Sequence, residues 1–131
     1  MARITPFRVS IAAAALALAA VVLILPVAVA RTSPGALPDV TLADLPPEAR
    51  EVSAMIRKGG PFRFDRDGVV FGNREKLLPP HPRGYYLEYT VPTPGVKTRG
   101  ARRIICGGPP REPDACWYTT DHYRSFRGIR E

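Results

Sequence analysis

The sequence is poor in the residues that form metal and thiol sites. Its 131 residues include two cysteines and two histidines. Cys106 and Cys116 have no histidine beside them, so they supply too few ligands for a metal site. In an oxidising compartment we expect them to form a disulfide, and two free thiols are the alternative. The sequence therefore calls for no metal and no cofactor.

The chain has only one long hydrophobic run. Fifteen apolar residues from Ile11 to Leu25 follow a basic N-terminus, and the small residues Ala28-Val29-Ala30 come shortly after. This order is typical of a secretory signal peptide, although counting on past Pro26 gives an apolar length close to that of a membrane anchor. The abundance of alanine favours cleavage. Residues 1–30 are therefore predicted to be removed from a secreted protein that keeps no stable association with the membrane.

Acidic residues are the scarcer charge. Without Arg3 and Arg8 of the signal segment, 17 lysines and arginines remain against 12 aspartates and glutamates, a net charge of +5. Such an excess indicates polyanionic partners, whether RNA, DNA or anionic lipid, but no particular chemistry. About 100 residues form a single domain around one core. We expect residues 31–38 to be a flexible lead and residues 39–131 to fold as a monomeric domain.

One helical pattern precedes a series of short strands. Pro46-Pro47 predicts the start of a helix, and Gly59-Gly60-Pro61 predicts its end. The apolar residues at helical spacing are Ala49, Val52, Met55 and Ile56. Strand patterns lie at residues 39–42, 68–71, 84–91, 101–106, 116–119 and 125–129, between loops rich in proline and glycine. This order predicts an α+β fold, with one helix packed on an antiparallel sheet whose other face is open to solvent.

The strand pattern at residues 84–91 places a carboxylate among aromatic and β-branched residues. Alternation divides this strand into a face with Glu88 and an apolar face: Tyr86, Glu88 and Thr90 against Tyr85, Leu87, Tyr89 and Val91. The apolar face is typical of a core and the other face of a polar site. A solvated glutamate on an edge strand is the ordinary interpretation, because glutamate is rarely buried unless it is paired.

A histidine and two arginines join this carboxylate as candidates for chemistry. Arg99 and Arg103 lie four residues apart, and His122 lies in a turn near the C-terminus. With Glu88 they suffice for phosphodiester transfer on RNA: a base for the 2′-hydroxyl, an acid for the leaving 5′-oxygen, and cations for the charge on phosphorus. Taken singly, a solvated histidine and a basic surface patch are the simpler interpretations.

Residues 68–79 carry a candidate base site. A strand ends at Phe71 and opens into Gly72-Asn73, a turn whose N–H groups can face an acceptor, and Arg74 and Glu75 follow. Guanine offers O6 and N7 as acceptors and N1–H and N2–H₂ as donors, so backbone amides and one carboxylate complement its edge. An ordinary hairpin turn with a flanking ion pair is the alternative.

The chain resembles the secreted microbial guanyl-specific ribonucleases of the barnase group, especially the short extracellular members. The similarity lies in GVVFGNREKLLP, GYYLEYTVPTPGVKTRGARRII and TTDHYRSF, preceded by LPPEA and GPF, and it covers residues 40–126. The resemblance implies a five-stranded antiparallel sheet packed on one helix. It also implies cleavage of single-stranded RNA 3′ of guanosine, through a 2′,3′-cyclic phosphate and without a metal.

The resemblance assigns catalytic roles to five residues. Glu88 would be the general base and His122 the general acid. Arg99 and Arg103 would hold the phosphate, and Tyr123 would assist from the position next to the acid. The resemblance further implies a small acidic intracellular inhibitor of the barstar kind, which protects the producing cell before export.

The resemblance also assigns roles in the base site. Glu75 would bind guanine N1–H and the exocyclic amine, and the backbone around Asn73 and Arg74 would bind O6. Phe71 and Arg74 would flank the ring. Gly72 stands where other members carry a larger residue, which predicts a looser loop and weaker base selectivity.

The chain departs from its near relatives in its cysteines. Thr41 stands where they carry a cysteine, and the C-terminal cysteine is missing, so the bridge between the two chain ends is lost. Cys106 and Cys116 instead flank a loop that looks longer than in those relatives. If the flanking strands form a hairpin, the two cysteines oppose each other at its base, within the span of a disulfide.

A non-catalytic cationic protein that binds RNA or anionic surfaces is the rival interpretation. It needs the charge excess but neither Glu88 nor His122. A ribonuclease used for nutrient scavenging and one used as an antagonistic toxin would share the same chemistry.

Overall fold

The computed structural model describes residues 38–131, so the predicted signal peptide at residues 1–30 and most of the predicted lead at residues 31–38 lie outside the described residues. The elements in chain order are β1 (Val40–Thr41), a short 3-10 helix (Leu42–Asp44), α1 (Pro47–Lys58), β2 (Val69–Val70), β3 (Tyr86–Thr90), β4 (Arg103–Gly107), β5 (Ala115–Thr119) and β6 (Arg127–Arg130). Within this part of the chain, no helix has the length and apolarity needed to cross a membrane.

Helix α1 ends where the sequence predicts. Gly59 follows it with a φ of 81°, a left-handed conformation that glycine adopts without strain, and its N–H donates to the carbonyl of Ile56. Of the predicted apolar stripe, Ala49 and Ile56 are buried, and Val52 packs against the same core. Met55 is half-buried. The helix therefore covers one face of the sheet, as its periodicity indicates.

The sheet has six strands in the order β1-β6-β5-β4-β3-β2, one more than the family resemblance implies. Strands β2 to β6 form the expected antiparallel sheet, and β1 adds a parallel edge through the pair Val40 and Ile129. Side chains at the two ends of the described residues also meet, because Arg130 Nε donates to Asp39 Oδ2 at 2.7 Å. Exposed ion pairs contribute little to stability. The parallel strand pair thus joins the two ends of the described residues, where near relatives are expected to have a disulfide that this chain lacks.

Each face of the sheet has its own core cluster. The helical face buries Leu45, Ala49, Ile56, Tyr89, Val91, Ile104, Cys106 and Tyr118. The opposite face buries Leu78, Tyr86, Ile105 and Phe126. The predicted alternation along β3 is confirmed, with one exception. Tyr85 was expected on the helical face, but it precedes the strand and packs on the opposite side, with its ring centroid 4.9 Å from that of Tyr86.

The sequence predicted that the face opposite the helix is open to solvent, and this prediction is wrong for part of that face. Four polar residues on it are buried, with exposures of 5% for Glu88, 2% for Thr90, 2% for Arg103 and 1% for Thr119. Loops that leave the sheet cover them. Buried polar groups require hydrogen-bond partners, so the partners of these residues define the site described below.

The predicted disulfide is confirmed. Cys106 in β4 and Cys116 in β5 occupy directly opposed positions of the antiparallel pair, and they are bonded to each other. The bridge closes the loop between these strands at its base. Cys106 also belongs to the helical core cluster, so the bridge is part of the packed interior.

Candidate active site

Glu88 lies in the middle of β3 with both carboxylate oxygens engaged. Tyr123 Oη donates to Oε2 at 2.9 Å, and Arg99 Nη2 donates to Oε1 at 3.1 Å. Arg66 Nε approaches Oε1 at 3.7 Å from the turn before β2. A carboxylate can be buried only with such compensation. The burial of Glu88 is thus explained by donors from three separate parts of the chain.

Arg103 is a buried cation held mainly by the backbone. Its Nη1 donates to the carbonyl oxygens of Arg99 at 3.3 Å, Gly100 at 3.0 Å and Arg102 at 2.8 Å. Its Nε donates to Tyr123 Oη at 3.1 Å. Because the same hydroxyl donates to Glu88, a chain of hydrogen bonds runs from the cation through the phenol to the carboxylate.

Tyr123 is suited to donate in this chain because it remains protonated. Burial raises the pKa of Tyr123, and the hydrogen bond to Glu88 and the negative charge of that carboxylate raise it further. Arg103 opposes the shift but does not reverse it. With an ordinary pKa already near 10, the phenol is neutral at physiological pH. It can therefore orient Glu88 without adding a charge.

The turn between β5 and β6 presents His122 and Tyr123 in left-handed conformations, with φ values of 55° and 69°. Such values are uncommon for residues other than glycine and cluster at functional sites. Asp121 holds the turn, since its carboxylate accepts from Ser125 N at 2.9 Å, from Ser125 Oγ at 2.5 Å and from Thr119 Oγ1 at 2.9 Å. The His122 N–H donates to the carbonyl of Ala101 at 3.1 Å, and its side chain is exposed.

The hydrogen bonds that hold this turn also act on the pKa of Asp121. Burial alone would raise the pKa, but the hydrogen bonds from Ser125 and Thr119 outweigh it and leave the pKa of Asp121 below its usual value of 3.8. The carboxylate form is therefore favoured by the folded structure. The turn that carries His122 depends on this ionised side chain.

Asn73 organises the loop that follows Phe71. Its side chain forms two hydrogen bonds with one residue, because Nδ2 donates to the Leu78 carbonyl at 3.0 Å and Oδ1 accepts from the Leu78 N–H at 3.1 Å. Its φ of 48° is left-handed, a conformation that asparagine tolerates. Within residues 38–131, the backbone N–H groups of Asn73, Arg74 and Glu75 have no acceptor. The loop therefore presents consecutive unused donors.

One cleft connects this loop with Glu88 and the turn of His122. Phe71 links the two sides, since its ring stacks on that of Tyr123 with centroids 5.2 Å apart and meets Phe126 edge-on at 6.0 Å. The cleft encloses about 500 Å³ and is lined by Arg66, Val70, Phe71, Gly72, Asn73, Arg74, Glu75, Leu77, Glu88, His122, Tyr123, Arg124 and Phe126. It thus joins all four predicted base-site residues to three of the five predicted catalytic residues. The other two, Arg99 and Arg103, are bonded to Glu88 and Tyr123.

Comparison with known proteins shows the family of this chain. A family model described as ribonuclease matches residues 28–130. Guanyl-specific ribonuclease St of Saccharopolyspora erythraea is 52% identical over 88 residues, which are 67% of this chain and 83% of that protein. The chain belongs to the guanyl-specific ribonuclease family. The chain described here is also 53% identical to guanyl-specific ribonuclease Sa of Kitasatospora aureofaciens over 87 residues, which are 66% of this chain and 88% of that protein.

A longer relative and a solved structure extend the comparison. Guanyl-specific ribonuclease Sa3 of Kitasatospora aureofaciens is 54% identical over 90 residues, and this ribonuclease spans 62% of its length. The crystal structure of ribonuclease Sa2 with guanosine-2′-cyclophosphate superposes with a TM-score of 0.64 at 44% identity, covering 72% of this chain and 97% of that one. The similarity therefore includes the fold and most of the described residues.

Sequence reasoning missed three residues that complete the site of this ribonuclease. In the sequence, Arg66 looks like an ordinary charged residue in a turn. The register of β2 on β3 pairs Val69 with Glu88, and this brings Arg66 close to the Glu88 carboxylate. Asp121 reads as a polar neighbour of His122 but holds the turn. Arg124, next after Tyr123, lines the cleft. Within residues 38–131, no three His, Cys, Asp or Glu side chains form a group that could hold a metal ion.

Proposed function

We propose that this ribonuclease cleaves single-stranded RNA on the 3′ side of guanosine by transesterification, through a 2′,3′-cyclic phosphate. The observation that carries the proposal is Glu88, a buried carboxylate that lines the cleft and is held there by Arg99 and Tyr123. The rival interpretation, a non-catalytic cationic binding protein, gives no reason to bury a paired acid in a cleft with an exposed histidine.

Glu88 and His122 divide the proton transfers. Glu88 takes the proton of the ribose 2′-hydroxyl while the 2′-oxygen bonds to phosphorus, and His122 gives a proton to the 5′-oxygen as the P–O5′ bond breaks. Arg99 and Arg103 stabilise the negative charge that develops on the phosphoryl oxygens. Tyr123 keeps the general base, Glu88, in place by its hydrogen bond. In the second step, the two groups exchange roles, and water opens the cyclic phosphate.

The loop at residues 71–75 selects the base. Glu75 accepts hydrogen bonds from guanine N1–H and N2–H₂, and the unused backbone amides near Asn73 and Arg74 donate to O6. Phe71 and Arg74 lie on the faces of the ring. The clamp between Asn73 and Leu78 supports this role, because it fixes the loop without using the amides that would meet the base. The names of the relatives, guanyl-specific ribonucleases, favour the same selectivity.

The test uses an RNA oligonucleotide with a single guanosine and EDTA in the buffer. We expect one cut, directly 3′ of the guanosine, and a 2′,3′-cyclic phosphate terminus that mass spectrometry identifies. The matched oligonucleotide with 2′-deoxyguanosine at that position should remain whole because it lacks the nucleophile. His122→Gln should lower the rate by roughly 10²–10⁴-fold. Loss of activity on chelation, or an unchanged rate in His122→Gln, would contradict the mechanism.

The biological setting is part of the same proposal. The ribonuclease is exported after cleavage of residues 1–30, and residues 39–131 act as a monomer without stable membrane association. An acidic intracellular inhibitor of the barstar kind protects the producing cell. The test is a mass measurement of the protein recovered from the culture medium. We expect the mass of a chain that begins at Arg31.

A further inference from the structure

Two arginine side chains occupy the space above Gly72 in the loop at residues 71–75, which we call the recognition loop. A β-carbon placed on Gly72 would lie 3.5 Å from Arg74 Cγ, 3.8 Å from Arg74 Nε and 4.0 Å from Arg83 Nη1. These distances are ordinary van der Waals contacts, so a small side chain would fit and only a larger one would displace the arginines. Arg74 belongs to the recognition loop, whereas Arg83 comes from the following loop. The two cations therefore converge from different segments on one point.

Arg83 is carried by a tight turn. The Tyr85 N–H donates to the Pro82 carbonyl at 3.1 Å, which makes Arg83 and Gly84 the two central residues of that turn. Gly84 has a φ of 95°, and a positive φ at this position is the reason type II turns require glycine. The backbone of Arg83 is consequently fixed by the residues on either side of it.

The segment before this turn is also anchored. Tyr86 Oη donates to the Pro79 carbonyl at 2.6 Å, and the ring of His81 stacks on Tyr85 with centroids 3.7 Å apart and planes inclined by 13°. Prolines at 79, 80 and 82 restrict the backbone between these contacts. The loop thus presents Arg83 in a preorganised position, which lowers the entropy cost of binding a ligand.

Neither arginine is paired with an acidic side chain of the described residues. Within residues 38–131, the side chains of Arg74 and Arg83 form no ion pair and no hydrogen bond, whereas Arg57 and Arg130 each pair with a carboxylate. Two cations held near one another without an anion repel each other, and a bound anion removes that repulsion. Guanidinium groups suit a phosphate in particular, since they donate parallel hydrogen bonds to its oxygens.

We propose that Arg83, with Arg74 beside it, binds a phosphate of the RNA strand other than the one that is cleaved. Gly72 and Arg74 line the cleft that contains Glu88, and Arg83 adjoins Gly72 without lining the cleft itself. The phosphate at Arg83 therefore belongs to a neighbouring nucleotide. This inference rests on the proposed function, and it predicts that the ribonuclease prefers oligonucleotides to dinucleotides.

The first experiment compares two substrates, a guanylyl dinucleotide with only the scissile phosphate and an oligonucleotide with one central guanosine. Arg83→Ala should lower kcat/KM for the oligonucleotide by about tenfold, the scale of a lost hydrogen bond to a charged group, and leave the dinucleotide unchanged. Arg83→Lys keeps the cation but not the parallel hydrogen bonds, so it should retain only part of the preference. Arg50→Ala removes the same charge from the exposed side of helix α1 and should change neither substrate.

The second experiment measures binding without cleavage, using the oligonucleotide with 2′-deoxyguanosine. Loss of one phosphate contact should reduce the slope of log affinity against log salt by about 0.7 in Arg83→Ala. Replacing single phosphates by uncharged methylphosphonates then locates the contact, 5′ or 3′ of the guanosine, because only one replacement should abolish the difference between wild type and variant.

Three outcomes would overturn the inference: an unchanged oligonucleotide preference and salt slope in Arg83→Ala, an equal loss in Arg50→Ala, or no methylphosphonate position that removes the difference. Failure of the proposed function is distinguishable from these. It would appear as an inactive wild-type protein on the dinucleotide, and the binding experiment would still test the phosphate contact.

Discussion

Two glutamates line the same cleft in opposite environments. Glu88 lies in a strand, is 5% exposed, and has both oxygens bonded to Tyr123 and Arg99. Glu75 lies in a loop and is exposed, and within residues 38–131 its carboxylate forms no hydrogen bond or ion pair. Residues of the described chain satisfy the first carboxylate and leave the second without a partner. In the proposed mechanism, the group that transfers protons is thus fixed by the sheet, whereas the group that binds the base is kept available for it.

The largest effect should follow from changing the fixed glutamate. Glu88→Gln keeps the shape but removes the base, so we expect kcat to fall by roughly 10²–10⁴-fold. Guanine binding should persist, because the recognition loop is unchanged. Steady-state kinetics and the inhibition constant of a guanine nucleotide measure the two quantities separately. If kcat stays at the wild-type value, Glu88 is not the base and the comparison of the two glutamates fails.

A change on the helical face of the sheet, opposite the side chain of Glu88, should affect stability and leave the proposed roles of both glutamates intact. The disulfide between Cys106 and Cys116 closes a ring that constrains the unfolded chain, and such a ring contributes about 2.5–3 kcal/mol in the chain-entropy model. Cys106→Ser together with Cys116→Ser should lower the free energy of unfolding by about that amount. The preference for guanosine should not change. Denaturant unfolding and cleavage mapping provide the measurements, and altered specificity would show that the hairpin supports the cleft.

A smaller effect is expected from the available glutamate. In Glu75→Gln, one amide donor faces a guanine donor and leaves polar groups unpaired, which costs about 1–3 kcal/mol. The preference for guanosine over adenosine should fall by the corresponding factor, roughly 5-fold to 150-fold, while cleavage after other bases changes much less. Competition between oligonucleotides that differ only in this base measures the ratio. An undiminished preference would mean that another group reads the base.

The sequence predicted the position of Glu88 in its strand better than the contacts that Glu88 makes with other parts of the chain. Alternation around Glu88 and the end of the helix at Lys58 depend on local patterns, and both are confirmed, apart from the side taken by Tyr85. The contact of Arg66 with Glu88 depends on the register between β2 and β3, which no local pattern determines. The parallel pairing of β1 with β6 joins residues at opposite ends of the described chain. Such long-range contacts follow from the assembled sheet. The local pattern at residues 39–42 therefore predicted a strand but not its parallel partner, and the family resemblance implied five strands and not six.

The smallest effect concerns Asp121, which holds the turn that carries His122. Hydrogen bonds from Ser125 and Thr119 leave its pKa below the usual 3.8, although burial alone would raise it. A depressed pKa in the folded state contributes stability that is present above the unfolded pKa and is lost as pH falls through the folded pKa. Asp121→Asn lacks this contribution, so wild type should be the more stable protein above about pH 4, and the difference should shrink in stronger acid. Chemical unfolding at a series of pH values, from about 2 to 6, measures the difference.

Thr120→Asn, an exposed position in the same turn, is the matched control and should follow wild type. A stability difference that does not vary with pH would show that Asp121 acts by its shape and not by its charge.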